Sequence, residues 1–312
     1  MLSPSALNRS VLPAAAYFML KRKATGMPRH VVQSVLNVGC NLYRQWPSLI
    51  PQRLARATFR ILSAQSDLLT YREADIELRC YKSHWVAYSM GTFEPVTRRV
   101  LESLLHPGMT FVDGGANVGL YSVLASKLVG SKGLVHAFEP HPGVYAVLTS
   151  NLSVNRSDNV KPWNVALGAT RETALLHDSV EPGSHTLVGV DSARGHLVHV
   201  LPLDEILGED RVDLVKLDLE GSEPLALQGM KSILARRRKP IVVMEFCSDW
   251  LQRSKASPLE VIGFLESYGY KLKAIDDRHQ QGPFNLDLQE RHMLAGRVFD
   301  YNLLCIPQGM AV

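Results

Sequence analysis

Hydrophobic positions along the chain follow two patterns that change between the first part and the rest. In the first part, apolar residues recur every three or four positions, which predicts amphipathic helices. From Thr110 onward, short β-branched runs alternate with helical runs, which predicts a parallel sheet built from βαβ units. We therefore predict a helical appendage over residues 1–75 and an α/β domain over residues 76–312.

The α/β pattern can be assigned element by element. Pro224 and Pro258 stand where helices are expected to begin, a position that tolerates a missing N–H. Residues 172–199 are expected to form an extra hairpin, and residues 78–92 a short strand pair that leads into the domain. Strands are predicted at residues 110–113, 134–139, 160–166, 212–218, 241–246, 271–275 and 303–306, and helices near residues 118–128, 143–155, 224–237 and 258–268.

Composition narrows the class of protein. No stretch approaches the roughly 20 apolar residues that a membrane-spanning helix requires. The four cysteines are scattered without CxxC pairing, which argues against a zinc site or a disulfide framework and favours a reducing compartment. We therefore expect a cytoplasmic protein, and no metal site is predicted.

Charge is distributed unevenly along the chain. The first 70 residues hold nine Lys and Arg residues and one acid, Asp67, whereas the whole chain has a net charge of +4. The rest of the chain is therefore acidic. A basic segment of this kind predicts peripheral contact with an anionic membrane through a helix that carries Arg53, Arg56 and Arg60. A solvated appendage and an organelle presequence are the alternatives.

The segment from Thr110 to Ser122 resembles a nucleotide-binding loop. A strand ends at Asp113, and Gly115 and Gly119 then allow a ligand to approach the backbone where a helix opens. Glu139 ends the next predicted strand, where its two oxygens can accept both hydroxyls of a ribose.

Two ligand classes use such a loop. Dinucleotide enzymes prefer G-x-G-x-x-G, but Ala116 occupies the middle glycine position here. The carboxylate of Asp113 would repel a pyrophosphate and attract the cationic methionine end of S-adenosylmethionine. The pattern favours the methyl donor, and an NAD(P)-dependent oxidoreductase is the alternative.

Carboxylates also follow the fourth and fifth predicted strands. Lys216, Asp218 and Glu220 share one strand face, and a lysine in a central strand needs a partner, which Asp218 provides. Glu245 ends the next strand. These carboxylates can act as a general base or hold Mg²⁺. We favour direct base catalysis, because no cluster of His and Asp ligands is evident in the sequence.

These residues together resemble the FkbM family of S-adenosylmethionine-dependent methyltransferases, in order and spacing, over about residues 80–275. Gly114 departs mildly from the family, which often carries valine or isoleucine there. The matching positions are Gly91 to Pro95, Pro107, Gly108, Phe111 to Ser122, Ala137 to Pro140, Asn164 to Gly168, Leu203, Asp204, Asp213 to Glu223 and Val243 to Glu245.

The resemblance implies a Rossmann-like class I methyltransferase fold, with a seven-stranded, mostly parallel sheet and helices on both faces. It also implies O-methylation of a hydroxyl on a sugar, glycan or secondary metabolite. The implied donor site is Asp113, Gly115, Asn117, Gly119, Ser122 and Glu139, with Asn164 near the adenine.

For the reaction we predict in-line attack of an acceptor oxygen on the donor methyl. Glu220 or Asp218 takes the proton, and Lys216 holds the carboxylate in place. Glu94, Glu245 and His141 are assigned to the acceptor. Nucleic acid is not expected as a partner, because the body is acidic and has no base-flipping motif. A non-catalytic docking module that uses the basic arm is a further alternative.

Overall fold

A computed structural model describes residues 68–178, 185–188, 194–285 and 298–310. The helices predicted before residue 67, with Arg53, Arg56 and Arg60, lie outside the described residues. The described residues form two compact units. One unit contains residues 68–72 and 79–93, and the other contains residues 73–78 and the described residues from 94 onward.

A two-stranded sheet and a helix begin the described chain. The strands are β1 (Leu68–Glu73) and β2 (Ile76–Tyr81), and the helix is α1 (Lys82–Ser89). The strand pair predicted over residues 78–92 is therefore wrong, since most of that segment is helical. Trp85 and Tyr88 favour strands by propensity, but their spacing places both on one side of a helix, where both are buried. The indole N–H of Trp85 donates to the carbonyl of Thr70 at 3.0 Å.

The larger unit is built on an eight-stranded sheet. Its strands are β3 (Thr110–Gly114), β4 (Leu134–Phe138), β5 (Val160–Trp163), β9 (Leu214–Leu217), β10 (Ile241–Cys247), β11 (Tyr270–Asp276), β12 (Gln281–Asn285) and β13 (Asp300–Pro307). They lie in the order β12-β11-β13-β10-β9-β3-β4-β5.

The sheet is mostly parallel. Strands β5, β4, β3, β9 and β10 pair in parallel, and β13 is antiparallel to both β10 and β11. All seven predicted strands are present in this sheet, and β12 adds an eighth at the edge. The predicted Rossmann-like α/β class is therefore confirmed.

A small second sheet accounts for one wrong boundary. The strand predicted at residues 160–166 ends at Trp163, and the next apolar pair, β6 (Ala166–Leu167), belongs to the small sheet. There β6 pairs with β8 (Gly195–Leu201), which is antiparallel to β7 (Glu172–His177). The predicted hairpin is thus confirmed, although residues 179–184 and 189–193 of its connection are not among those described.

Helices cover the strands. They are α2 (Pro95–Leu104), α3 (Leu120–Val129), α4 (Pro142–Val154), α5 (Leu203–Leu207), α6 (Glu223–Gln228), α7 (Lys231–Ala235), α8 (Ser248–Arg253) and α9 (Pro258–Ser267). α3 contacts β3 and β4, and α9 contacts β11. Among the described helices, none has the length and apolar character needed to span a bilayer.

The single helix predicted over residues 224–237 is wrong, because it is divided at Gly229 into α6 and α7. A Cβ at Gly229 would lie 1.9 Å from the carbonyl oxygen of Gly168. The carbonyl of Gly229 also accepts the backbone N–H of Asp204. Close backbone contact at this point therefore interrupts a pattern that is helical on both sides.

Candidate active site

Parallel strands bring carboxylates to one edge of the sheet. Gly114 of β3 pairs with Phe138 of β4 and with Leu217 of β9, so the chain leaves all three strands at the same level. Glu139 and Asp218 are the next residues after β4 and β9. In open α/β sheets this carboxyl edge is where ligands bind.

The loop between β3 and α3 is shaped by residues in left-handed backbone conformations. Gly115 has φ +80°, Asn117 has φ +50° and Gly119 has φ +97°. A Cβ at Gly115 would lie 1.9 Å from the carbonyl oxygen of Asp218. The sequence suggested that this glycine makes room for a ligand, but the close approach is to the end of β9.

Glu139 closes this loop from the neighbouring strand. Its Oε2 accepts the backbone N–H of Asn117 at 3.0 Å, and its Oε1 accepts that of His141 at 2.8 Å. Burial, with a smaller contribution from the charge of Asp113, raises the pKa of Glu139 to about 7 despite these two hydrogen bonds. Each carboxylate oxygen can accept a second hydrogen bond, so Glu139 can still bind a ribose diol.

Asp113 lies buried beside Glu139 with one oxygen satisfied. Ser122 donates its hydroxyl to Oδ2 of Asp113 at 2.5 Å. Oδ1 is buried and has no hydrogen-bond partner among the described residues. Burial raises the pKa of Asp113, while Lys216 lowers it in part. A buried acceptor of this kind fits a cationic ligand, because a buried polar atom without a partner is costly.

Lys216 is the cation inside this edge of the sheet. Its Nζ lies 2.7 Å from Oδ2 of Asp218 and 3.9 Å from Oε2 of Glu94. Its ammonium also lies 4.7 Å from the ring centroid of Tyr121. Burial disfavours the charge on Lys216, but Asp218, Glu94 and Asp113 raise its pKa above the usual value. The predicted pairing of Lys216 with Asp218 is present, within a larger group of carboxylates.

Glu94 precedes α2 and contacts residues from distant parts of the chain. Oε2 accepts the hydroxyl of Tyr121 at 2.8 Å, and Oε1 accepts the amide of Asn302 at 3.2 Å. The same amide lies 3.3 Å from Oδ2 of Asp277, whose Oδ1 accepts the N–H of Val96 at 2.7 Å. The sequence predicts that Glu94 binds the acceptor. In the structure its carboxylate is held by Tyr121 and Asn302 and lies beside Lys216.

Asn302 and Asp277 were missed in the sequence. Both lie beyond the matched motifs: Asp277 follows β11 and Asn302 lies within β13, and the sequence does not reveal the antiparallel pairing of these two strands. No signal in their residue type or spacing identifies them.

Three further carboxylates lie near this edge: Glu220 and Glu223 follow β9, and Glu245 lies near the end of β10. Glu223 opens α6 and accepts the N–H groups of Leu219 and Gly221, at 2.5 and 3.1 Å, which closes the loop after β9. Oε2 of Glu245 is buried without a hydrogen-bond partner among the described residues. Burial and the charges of Asp218, Glu223 and Glu220 raise the pKa of Glu245 well above its usual value. Asp218, Glu220 and Glu245 therefore lie close enough to interact, as the sequence suggested.

The remaining two predicted residues support the loop after β4. Nδ1 of His141 accepts the N–H groups of Gly143 and Val144, at 3.1 and 3.2 Å, and so caps α4. Asn164 donates its amide to the carbonyls of Glu139 and Pro140, at 2.9 and 3.0 Å. Asn164 is solvent-exposed, so its contacts with the backbone of Glu139 do not by themselves place it near an adenine.

A family model described as the Methyltransferase FkbM domain matches residues 113–272, more than half of the 312 residues. The chain belongs to the FkbM methyltransferase family. The match begins at Asp113 and includes Glu139, Lys216, Asp218, Glu220 and Glu245, so nearly all of the carboxylate edge lies inside it.

Two curated fungal methyltransferases are similar to part of the chain. Methyltransferase sdnD of Sordaria araneosa is 30% identical over 154 residues, which covers 38% of this chain and 59% of that protein. Methyltransferase 1 of Beauveria bassiana is 28% identical over 143 residues, with 38% and 57% covered. The chain therefore spans less than two thirds of the length of either relative.

Solved structures with a similar fold include a SAM-dependent methyltransferase from Aquifex aeolicus. It is 17% identical, covers 70% of this chain and 92% of its own, and has a TM-score of 0.39. An rRNA methylase from Streptococcus thermophilus is 12% identical, covers 68% and 93%, and has a TM-score of 0.40.

The cofactor of the FkbM methyltransferases is S-adenosylmethionine, and the side chains of this site fit it. The donor carries an ammonium and a sulfonium cation, which the buried Oδ1 of Asp113 can face. It also carries a ribose diol, which suits the carboxylate of Glu139. Asp113 lies in β3, and Glu139 directly follows the adjacent strand β4. Both therefore lie beside the loop between β3 and α3.

Proposed function

We propose that the protein transfers the methyl group of S-adenosylmethionine to a hydroxyl oxygen of a sugar, glycan or secondary metabolite. The observation that carries this proposal is Oδ1 of Asp113, which is buried beside Glu139 at the carboxyl edge of the sheet and has no hydrogen-bond partner in the part of the chain that the structure describes. When bound, the donor supplies an electrophilic methyl group on a sulfonium sulfur.

The donor side uses residues of the β3–α3 loop and the end of β4. Asp113 holds the cationic end of the donor, and Glu139 accepts the ribose hydroxyls. Gly115, Asn117 and Gly119 shape the loop, and Ser122 fixes the orientation of Asp113 through its hydroxyl. Asn164 keeps the backbone after Glu139 in place, next to the region assigned to the adenine.

Glu220 is the proposed general base. Oδ2 of Asp218 already lies 2.7 Å from the ammonium of Lys216, so this carboxylate is engaged inside the protein. Glu220 follows it in the loop after β9, and a base that removes a hydroxyl proton contributes about 10²–10⁴ in rate. Lys216 acts as a positioning residue that fixes Asp218, Glu94 and the donor loop.

Glu245 belongs to the acceptor side of the proposal. Its raised pKa favours the protonated form, which can donate a hydrogen bond to an acceptor oxygen. Glu94 acts indirectly, since both of its oxygens already accept hydrogen bonds from protein side chains. The acceptor would then meet carboxyl groups of Glu220 and Glu245 on one side and the donor methyl on the other.

A labelled methyl donor tests the proposed reaction. The full chain is incubated with isotopically labelled S-adenosylmethionine and cell extract, and labelled products are identified by mass spectrometry. We expect a methyl ether, and Glu220→Gln should abolish labelling while S-adenosylhomocysteine binding stays within twofold of wild type. Glu209→Gln, at an exposed position, is the matched control. Label on nitrogen alone would refute O-methylation, and wild-type turnover by Glu220→Gln would refute the base.

Peripheral membrane contact by a cytoplasmic protein is a separate proposal that rests on the basic first 70 residues. Co-sedimentation with phosphatidylserine vesicles, compared with phosphatidylcholine vesicles, tests it. We expect binding to the anionic vesicles that is lost when Arg53, Arg56 and Arg60 are changed together to Gln. Unchanged binding by that variant would refute the role of these arginines.

A further inference from the structure

Three histidines surround one carboxylate at the end of the small sheet. The carboxylate is Asp178, directly after β7, and the histidines are His141, His185 and His196. Nε2 of His141 and Nε2 of His196 each lie 3.7 Å from Oδ1 of Asp178, and Nδ1 of His185 lies 3.9 Å from the same oxygen. No spacing in the sequence predicts this cluster, because its members come from four separated segments.

The ligand atoms have the spacing of a metal site. Those of His141, Asp178 and His196 all lie within 4.8 Å of one another. A tetrahedral Zn²⁺ ion with bonds of about 2.0–2.2 Å holds its ligand atoms about 3.3–3.5 Å apart. The two separations from Oδ1 of Asp178 are 3.7 Å, and the ligand atoms of His141 and His196 lie within 4.8 Å of each other, so side-chain rotations would be needed to bring the three atoms into one coordination shell.

The surroundings hold these ligands in place. The ring of His185 stacks on that of His141 with centroids 4.0 Å apart, and His196 meets His141 edge-on at 4.6 Å. His196 lies on β8, which pairs with the strand that leads into Asp178. Two of the three ligands therefore come from a rigid hairpin, and His141 comes from the start of α4.

We propose that His141, Asp178 and His196 form a site for a divalent transition metal of the Zn²⁺ type. Imidazole nitrogens with one carboxylate oxygen suit Zn²⁺ or Co²⁺, whereas Mg²⁺ and Ca²⁺ prefer oxygen ligands alone. His185 is the nearest residue for a fourth ligand. The ion would connect the small sheet to the start of α4. The proposed metal site does not rest on the proposed methyl transfer, although the backbone N–H of His141 donates to Oε1 of Glu139.

The capping role of His141 sets a condition for metal binding. Because Nδ1 accepts two backbone N–H groups, the proton of the neutral ring resides on Nε2. Coordination through Nε2 requires that proton to leave, with Nδ1 then protonated and the cap of α4 released. His141→Asn separates the two roles, since asparagine is a good N-cap residue but removes the imidazole ligand.

Titration with the metal alone tests the site. The full chain is stripped with a chelator and titrated with Zn²⁺ in a calorimeter, and with Co²⁺ while visible absorption is recorded. We expect one Zn²⁺ per chain, a tetrahedral Co²⁺ spectrum and no Mg²⁺ binding. His196→Ala and His141→Asn should each weaken Zn²⁺ binding by at least about tenfold. His199→Ala, three positions along β8 and so on its opposite face, should bind as wild type.

Thermal unfolding without metal shows that each variant is folded before titration. No stoichiometric Zn²⁺ binding by the wild-type chain would overturn the proposal. Wild-type affinity in both His196→Ala and His141→Asn would also overturn it, because the bound ion would then lie elsewhere.

Discussion

The ammonium of Lys216 lies 2.7 Å from the carboxylate of Asp218, although the lysine is almost fully buried in a central strand. Glu94 and Asp113 also raise the pKa of this lysine. One buried cation therefore balances three carboxylates that belong to the loop before α2, to β3 and to the end of β9. Lys216 and these carboxylates therefore connect the loop between β3 and α3 to the end of β9. The proposed base, Glu220, lies in the loop that follows β9.

Lys216→Met should destabilise the fold strongly. The change keeps an apolar stem of similar length but leaves buried carboxylates without their cation, which costs about 3–5 kcal/mol. Urea unfolding followed by circular dichroism measures the free energy of unfolding. Lys231→Met, at an exposed position of α7, is the matched control and should change it by less than about 0.5 kcal/mol. Equal effects of the two changes would contradict the role of Lys216.

Gly115→Ala should also destabilise the protein, for a steric reason. The new Cβ would lie 1.9 Å from the carbonyl oxygen of Asp218, so the donor loop or the end of β9 must move. We expect a loss of about 3 kcal/mol or more in the free energy of unfolding.

Gly130→Ala is the control for backbone conformation. Gly130 also has a left-handed φ, +63°, but a Cβ there would meet nothing within 4 Å. It should cost only the backbone penalty, about 1–3 kcal/mol, because φ +63° with ψ −174° is a conformation that few residues other than glycine adopt. If Gly115→Ala is no less stable than Gly130→Ala, the loop between β3 and α3 does not pack closely against the end of β9.

Glu139→Gln should weaken donor binding. The amide keeps the size of the side chain but loses the charge that strengthens hydrogen bonds to a ribose, so we expect about 10–100-fold weaker binding of S-adenosylhomocysteine. Calorimetry measures this change, and Glu172→Gln, exposed at the start of β7, should bind as wild type. Unchanged affinity in Glu139→Gln would remove Glu139 from the donor site.

Much of the central sheet could be predicted because its strands are short apolar runs, each bounded by polar residues. Fully buried parallel strands have this pattern, and β9 is buried along its whole length although it includes Lys216. The predicted elements were wrong where the same local pattern of residues is compatible with two different structures. One strand is predicted over residues 160–166, yet Trp163 and Ala166 lie in different sheets. The helix broken at Gly229 has a tertiary cause that spacing cannot show.

The sequence predicts those residues of the candidate site that lie at the ends of parallel strands. Asp113, Glu139 and Asp218 each follow a parallel strand, and parallel topology brings such residues to one edge. Asn302 could not be found this way, because it lies within β13, an antiparallel strand, and reaches Glu94 only through the register with Glu245 on β10. His196 and Asp178 meet His141 only through the folding of the small sheet.

Calorimetry of the wild-type chain with S-adenosylhomocysteine and, separately, with NAD tests the central claim most directly. The carboxylate edge formed by Asp113 and Glu139 should bind S-adenosylhomocysteine with one molecule per chain and show no heat of binding with NAD at the same concentration. Binding of NAD without binding of S-adenosylhomocysteine would contradict the assignment of this edge to a methyl donor.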